Sequence, residues 1–316
     1  MKKKETILLV GVGLMGIEYA KVLQALNMPF VAVGRGEKSA SDFSSATGLQ
    51  PITGGIEKYI QTAKDLPSMA IVAVNEDEAG RVTRFLLKNG LDHILAEKPG
   101  GLTIADIKLT GKVAKKFKAS VYIAYNRRFY ASTIEAMRII KKDGGISSFT
   151  FDFTERSYVI EKLETSSVEV KRNWFLANST HVIDMAFFLG GKPSKIATYK
   201  KGGLKWHPSG FIYAGAGISD RGAPFSYHAD WESAGRWSIE VMTPKNKLIF
   251  RPLEKLQMQK YGSMNIEDVP LDDKLDIEFK PGIYRQLESF LGDKHNLLTI
   301  NEQVKNLKYY SIIEKK

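Results

Sequence analysis

Short apolar runs alternate with stretches of helical periodicity over the first 125 residues. The runs cover residues 7–10, 30–33, 70–74, 93–96 and 120–125. Near-continuous apolar runs of this length are typical of parallel strands buried on both faces. Between the first two runs, apolar residues recur at the i, i+3, i+4, i+7 spacing of one helix face, at Tyr19, Val22, Leu23 and Leu26. This βαβαβ order predicts an α/β fold with a doubly wound parallel sheet.

The pattern changes after about residue 145, where apolar and polar residues alternate with a period of two. Phe149, Phe151 and Phe153 alternate with polar residues, and residues 225–231 and 237–241 repeat the pattern. The alternation indicates antiparallel strands with two unlike faces. A helix is predicted over about 180–190 and a closing helix over 301–313. Two domains are therefore expected, at residues 1–124 and 125–316, the second being α/β with an open, mainly antiparallel sheet.

One face of that second sheet needs a cover where its side chains are large and apolar. Phe149, Phe151, Phe153 and Trp237 are candidates for the covered face, although alternation does not say which face points outward. We expect a second copy of the chain to supply the cover. The expected assembly is a homodimer or a homotetramer.

Bulk properties narrow the function class. The chain has 316 residues and a formal net charge of +11, but it has no long basic run and no cysteine. Nucleic acid is therefore not an expected partner, and disulfides and thiolate metal sites are excluded. No apolar run approaches the roughly 18 residues that a membrane helix needs. The first apolar run is too short for a signal peptide, so a cytoplasmic location is expected.

A glycine motif links the first strand to the first helix, over residues 11–16. Gly11 permits the tight turn, Gly13 lets a pyrophosphate approach the backbone, and Gly16 lets the helix pack closely on the strand. Because the motif sits within a βαβ unit, it predicts a dinucleotide site at the helix N-terminus. The candidate cofactor-binding residues are Gly11, Gly13, Leu14, Met15, Gly16, Gly34, Arg35, Asn75, Glu97 and Lys98.

The end of the second strand bears on the choice between NAD and NADP. NAD enzymes usually place an acidic residue there, about 20 residues after the glycines, to bind the ribose 2′-OH. This chain has Gly34 followed by Arg35, and an arginine can pair a 2′-phosphate bidentately. NADP is therefore the preferred cofactor and NAD the alternative. Glu37 could instead reach a ribose hydroxyl, and Arg35 could be a solvated loop residue.

Four motifs in order resemble the Gfo/Idh/MocA oxidoreductases, the family of glucose–fructose oxidoreductase and inositol dehydrogenase. They are the glycine motif, Glu97-Lys98-Pro99 at the end of the fourth strand, residues 125–129 (Tyr-Asn-Arg-Arg-Phe), and residues 181–185 (His-Val-Ile-Asp-Met). The resemblance implies a Rossmann domain followed by a domain with an open antiparallel sheet. It also implies hydride transfer at a sugar or polyol carbinol, with Lys98 and His181 near the reacting oxygen and Glu97 at the nicotinamide ribose.

The substrate-binding candidates follow from these motifs and from one departure. Many relatives carry an aspartate four residues before the histidine, whereas this chain has Ala177, and the neighbouring Asn178 can supply a hydrogen bond but no charge. An aromatic face such as that of Trp174 could line a sugar pocket. The full candidate set is Lys98, Tyr125, Asn126, Arg128, Trp174, Asn178 and His181. The histidines show no metal-ligand spacing, so no metal is expected.

The catalytic prediction assigns a proton acceptor and an oxygen-binding cation. Oxidation of a carbinol needs a group that accepts the hydroxyl proton, and histidine has an intrinsic pKa suited to that role. His181 is also predicted to lie at a helix N-terminus, which disfavours the imidazolium. Lys98 would bind the substrate oxygen and stabilise developing alkoxide, although the two roles could be exchanged. Two alternatives stay open, namely glycoside cleavage through transient oxidation and a non-catalytic dinucleotide-binding regulator.

Overall fold

The computed structural model describes residues 6–315, which form two units. The first contains the chain up to Tyr125 together with Glu278–Lys305, and the second contains Asn126–Ile277 with the residues from Asn306 onward. The boundary after Tyr125 lies one residue from the predicted position. Glu278–Lys305, which the sequence placed in the second domain, folds instead with the first, because its short strand pairs with the end of the parallel sheet.

The first unit is built on a six-stranded sheet in the order β14-β5-β4-β3-β1-β2. Five strands are parallel, and the two-residue β14 pairs antiparallel with β5 at one edge. The strands are β1 (Ile7–Val10), β2 (Phe30–Val33), β3 (Met69–Val72), β4 (His93–Ala96), β5 (Ser120–Ile123) and β14 (Leu298–Thr299). The helices are α1 (Leu14–Ala25), α2 (Glu37–Thr47), α3 (Gly55–Thr62), α4 (Glu76–Lys88), α5 (Ile104–Lys116) and α11 (Ile283–Leu291). The predicted Rossmann-type sheet is confirmed.

The second unit is built on an eight-stranded sheet in the order β13-β12-β11-β10-β6-β9-β8-β7. Every neighbouring pair is antiparallel except β6 and β9. The strands are β6 (Ser148–Asp152), β7 (Pro193–Lys201), β8 (Ile212–Ser219), β9 (Pro224–Asp230), β10 (Ser238–Met242), β11 (Asn246–Phe250), β12 (Gln257–Lys260) and β13 (Ile266–Asp268). The predicted mainly antiparallel sheet is confirmed.

Helices α6 (Ala131–Lys142), α7 (Ser157–Ile160), α8 (Val168–Arg172) and α9 (Thr180–Gly190) complete the middle of the chain, and α10 (Lys274–Glu278) and α12 (Ile300–Glu314) lie near its end. A 3-10 turn at Asn126–Phe129 precedes α6, and a π-helical turn at Phe175–Ser179 leads directly into α9. This π-helical turn has no counterpart in the predicted elements.

The phenylalanine face of the second sheet is covered by the chain's own helix α9. Phe149, Phe151 and Phe153 are almost fully buried, and the ring of Phe187 from α9 meets Phe149 and Phe151 edge-on at centroid distances of 6.5 and 5.6 Å. The three phenylalanines therefore cannot form the face that a second subunit would cover. That expectation is corrected: in an antiparallel sheet packed on one side, the largest apolar side chains face the helix within the same unit.

The opposite face of this sheet is exposed within the single chain and combines small, polar and a few apolar side chains. Ala216 lies at the middle of β8, next to the edge strand β7, and is paired with Ala197 on one side and Ser226 on the other. Tyr199 and Ile218 are exposed apolar residues of the same face. Small side chains such as those of Ala197 and Ala216 would permit close approach of a second copy.

We predict that the chain is a homo-oligomer in solution and that this face forms the contact. Light scattering at micromolar concentration is expected to give a multiple of the 35.3 kDa chain mass. Ala216→Arg, which places a long cation on the part of the face formed by β7, β8 and β9, should shift the mass towards the monomer. A 35.3 kDa species for the unaltered chain would contradict the prediction.

Candidate functional site

The glycine motif forms one wall of a cavity of about 260 Å³ in the first unit. Gly11 has a φ of +107°, and a Cβ there would stand 2.3 Å from the carbonyl oxygen of Ala73. A Cβ on Gly16 would stand 2.0 Å from the carbonyl oxygen of Gly11, so α1 and the β1 turn require glycine at both positions. No atom lies within 4 Å of a Cβ built on Gly13, which lines the cavity. This cradle fits the pyrophosphate of a dinucleotide.

The far wall of the cavity holds two arginines and two glutamates. Arg35 Nη1 lies 3.3 Å from Glu78 Oε2, and Arg81 Nη2 lies 2.7 Å from the same oxygen. Arg81 Nη1 also meets Glu57 Oε1 at 2.5 Å. Hydrogen bonds from Arg81 lower the pKa values of both Glu57 and Glu78. Glu37 does not line this cavity, so the carboxylates available to a ribose are Glu57 and Glu78.

The sequence indicated Arg35 but not Arg81, Glu57 or Glu78. All three belong to helices α3 and α4, and no sequence spacing relates them to the second strand. The remaining cofactor candidates are more dispersed. Gly34 and Asn75 line the cavity, whereas Leu14 is 85% exposed and Met15 is half-buried at the start of α1.

Glu97 and Lys98 follow β4 and have separate partners. The buried carboxyl of Glu97 accepts a hydrogen bond from the Tyr19 hydroxyl at 2.7 Å, and burial raises the pKa of Glu97. Lys98 Nζ lies 3.0 Å from Glu76 Oε1. Burial opposes the ionised form of Glu76, but the Lys98 ammonium outweighs it and lowers the pKa of Glu76. Glu76 and Lys98 therefore form an ion pair at the carboxyl edge of the sheet.

In the second unit, His181 lies on α9 beside an aromatic and a cation. The rings of His181 and Trp237 have centroids 6.2 Å apart, and the Arg127 guanidinium lies 4.8 Å from the Trp237 ring centre. The sequence did not predict Arg127 or Trp237 as site residues. Arg127 lay inside a recognised motif but was passed over in favour of its neighbour Arg128.

His181 does not stand at a free helix N-terminus. Ser179, the residue before α9, has helical backbone angles, because the π-helical turn Phe175–Ser179 continues into the helix. The backbone before His181 therefore lacks the unpaired N–H groups that concentrate positive charge at a helix end. The dipole argument for a neutral imidazole is corrected on this ground, while the proton-acceptor role remains a prediction.

A buried carboxyl lies beside this π-helical turn. Glu155 is 6% exposed and accepts hydrogen bonds from Ser179 Oγ at 2.8 Å and from Asn178 Nδ2 at 3.1 and 3.2 Å. The sequence reasoning missed Glu155, although a signal was present. Glu155 continues the every-second-residue series of Phe149, Phe151 and Phe153. The alternation therefore predicts that its side chain faces inward like theirs. Trp174, a predicted sugar-contacting residue, is half-buried, and its ring lies 6.4 Å from that of Trp206.

The side chains of the motif at residues 125–128 have different partners. Tyr125 is buried in the first unit, where its hydroxyl accepts a hydrogen bond from Gln303 at 3.1 Å. Asn126 is buried at the start of the second unit. Arg128 donates from Nε and Nη2 to the two carboxylate oxygens of Asp184 at 2.7 and 2.6 Å. Substrate contact by these three residues remains a prediction, and Arg128 has a structural partner.

Within residues 6–315, no group of three or more histidine, aspartate or glutamate side chains could hold a metal ion. None of the helices in that range is both long enough and apolar enough to cross a membrane.

The first unit matches a known protein family. Residues 6–125 match the model of an oxidoreductase family with an NAD-binding Rossmann fold, Gfo/Idh/MocA. Over this segment the chain is similar to the Gfo/Idh/MocA oxidoreductases. The resemblance inferred from the four motifs is thereby confirmed. A search of curated protein sequences gave no match.

Solved structures of other oxidoreductases and dehydrogenases share the fold of nearly the whole chain. An oxidoreductase from Agrobacterium radiobacter, in complex with NAD⁺, L-tartaric acid and magnesium, has a TM-score of 0.78 and 11% identity, covering 99% of this chain and 95% of that one. The WlbA dehydrogenase from Bordetella pertussis, in complex with NADH and UDP-GlcNAcA, has a TM-score of 0.75 and 15% identity, covering 99% and 96%. Levoglucosan dehydrogenase, in complex with NADH and levoglucosan, has a TM-score of 0.76 and 16% identity, covering 99% and 97%.

We predict that the Arg128–Asp184 pair stabilises the second unit. The two side chains are 8% and 2% exposed, so Asp184→Asn leaves a buried guanidinium without its counter-charge. Loss of one partner of a buried pair should lower the free energy of unfolding by about 3–5 kcal/mol. Urea denaturation measures the change.

A matched control is Glu240→Gln, which breaks the more exposed Glu240–Lys247 pair of 2.6 Å. An exposed ion pair should contribute no more than about 1 kcal/mol. Equal losses in the two variants would contradict the structural role assigned to Asp184.

Proposed function

We propose that this chain is an NAD(P)-dependent oxidoreductase that transfers a hydride between the carbinol carbon of a sugar or nucleotide sugar and nicotinamide. The observation that carries the proposal is the carboxyl edge of the first sheet. The loop with Gly11 and Gly13, which line the cavity, follows β1 at this edge, and Glu97 and Lys98 follow β4. Parallel strands bring these loops to one edge, which is where open α/β sheets bind ligands. Sugar and nucleotide-sugar ligands in similar structures support the substrate class.

The side chains have different proposed roles in binding the substrate and in proton transfer. Nicotinamide, when bound, accepts or returns the hydride. Lys98, which pairs with Glu76, would bind the substrate oxygen and stabilise alkoxide character as the hydroxyl proton leaves. His181 would accept that proton, and Trp174 and Asn178 would contact the sugar. Glu97 would meet the nicotinamide ribose while the Tyr19 hydroxyl holds its carboxyl.

A substrate panel tests the proposed function directly. Purified protein is mixed with NADP or NAD and with free and nucleotide-linked sugars, including levoglucosan and UDP-GlcNAcA. Oxidation of a sugar with matching growth of absorbance at 340 nm supports the proposal. Cleavage of a glycoside without net cofactor reduction would favour the transient-oxidation mechanism instead. Dinucleotide binding with no turnover of any sugar would favour a regulator.

We predict that Lys98→Met and His181→Ala each reduce turnover about 100-fold or more. That is the usual scale for removing an electrostatic or proton-transferring group. Both variants should bind the dinucleotide normally, because the glycine cradle is unchanged. Lys88→Met and His295→Ala, which alter exposed residues of the first unit, are the controls. Turnover within a few-fold of the unaltered protein in either test variant would refute its catalytic assignment.

The cofactor preference is predicted to favour NADP because Arg35 can pair a 2′-phosphate. Arg35 is 69% exposed at the cavity, so its guanidinium is accessible to a ligand. Arg35→Ala should weaken NADP binding about tenfold or more, the scale of a charged hydrogen bond, and leave NAD binding unchanged. Isothermal titration of both cofactors measures this, with Lys38→Ala as the control. Tighter binding of NAD than of NADP by the unaltered protein would rule the preference out.

A further inference from the structure

Glu155 is a buried carboxyl for which the proposed hydride transfer gives no role. It lies in the loop after β6 and accepts hydrogen bonds from the side chains of Asn178 and Ser179. Burial of a carboxyl is costly unless hydrogen bonds compensate it. The hydrogen bonds from these two polar side chains supply that compensation for Glu155.

Both donors belong to the π-helical turn Phe175–Ser179 that leads into the His181 helix. Such single turns add a residue to the helical path and occur frequently at functional sites. Ala177, which stands where many relatives have an aspartate, lies in the same turn and is buried. Glu155, in the loop after β6, thus places an acidic group beside this turn.

The carboxylate determines how the Asn178 amide is oriented. An ionised carboxylate only accepts hydrogen bonds, so the NH₂ branch of the amide must face Glu155. The carbonyl oxygen is the other branch of the same planar group. Asn178 is half-buried rather than enclosed, so part of the residue is accessible to a ligand.

We propose that Glu155 is a positioning residue whose carboxylate fixes the amide of Asn178 so that the Asn178 carbonyl oxygen accepts a hydrogen bond from a substrate hydroxyl. This inference rests on the proposed function for the class of substrate, a polyhydroxylated sugar. It assigns to Glu155 an effect on substrate binding that is exerted through Asn178.

The orientation depends on pH in the neutral range. Burial raises the pKa of Glu155 to about 7, against the lowering effects of Ser179, Trp174, Asn178 and the Arg127 cation. His181, two residues after Ser179, is the other titratable side chain at this helix start. Above about pH 7 the carboxylate holds the amide in one orientation. Below it the protonated acid can also donate, and the preference for that orientation is lost.

An activity-free test follows the side-chain amide of Asn178 by ¹H–¹⁵N NMR, with its signals assigned from their absence in Asn178→Ala. In the unaltered protein these signals should shift with a midpoint near pH 7, and in Glu155→Gln they should not. Signals that do not titrate in the unaltered protein, or that titrate equally in Glu155→Gln, would overturn the proposal. This result is obtained whether or not any sugar is turned over.

A kinetic double-mutant cycle tests the effect on substrate. With the best sugar of the panel at pH 8, Glu155→Gln and Asn178→Ala should each raise KM about tenfold, with kcat within a few-fold and dinucleotide affinity unchanged. Because Glu155 acts through Asn178, the double variant should also raise KM about tenfold rather than about a hundredfold. Glu240→Gln is the control. Additive effects, or an unchanged KM in Glu155→Gln, would overturn the substrate role, whereas a panel with no oxidised sugar would reject the proposed function alone.

Discussion

The packing of α9 on the phenylalanine-rich face of the second sheet determines where the polar side chains of that unit lie. Ten of the eleven residues of α9 are buried, and Phe187 contacts the rings of Phe149 and Phe151. A helix held on one side by large rings has little freedom to rotate or slide. Its polar residues, His181 and Asp184, are therefore fixed in place by apolar contacts made elsewhere on the same helix.

The cost of burying charge explains the partners of each acid. Asp184 is neutralised by the two-pronged contact with Arg128, and Glu76 by the Lys98 ammonium. Glu97 has the Tyr19 hydroxyl and the nearby Lys98 charge, but burial dominates and raises its pKa. Glu155 has neutral donors and only a distant effect from Arg127, and its pKa rises to about 7. Perturbed acids of this kind are more frequent at functional sites than elsewhere.

Sequence periodicity predicted the parallel strands well because each strand is buried on both faces and therefore reads as an unbroken apolar run. It could not place Glu278–Lys305, since a two-residue strand such as β14 carries no period. It predicted the start of α9 but not the π-helical turn before it, because the extra residue leaves no mark on composition. Local motifs identified Gly11, Glu97 and Lys98. Arg81 and Trp237 reach their clusters through the folding of distant segments, which spacing does not encode.

The charges around the cofactor cavity show why a single arginine after β2 is not enough to predict the choice between NAD and NADP. Two cations, Arg35 and Arg81, face two carboxylates, Glu57 and Glu78, so the group carries little net charge. Arg81 already pairs with both glutamates, whereas Arg35 pairs with Glu78 at the longer distance of 3.3 Å. A 2′-phosphate would therefore recruit Arg35 at small cost while Arg81 continues to neutralise the acids. Without Arg81, the same two glutamates would repel that phosphate, so the proposed preference for NADP would depend on Arg35 after β2 together with Arg81 on α4.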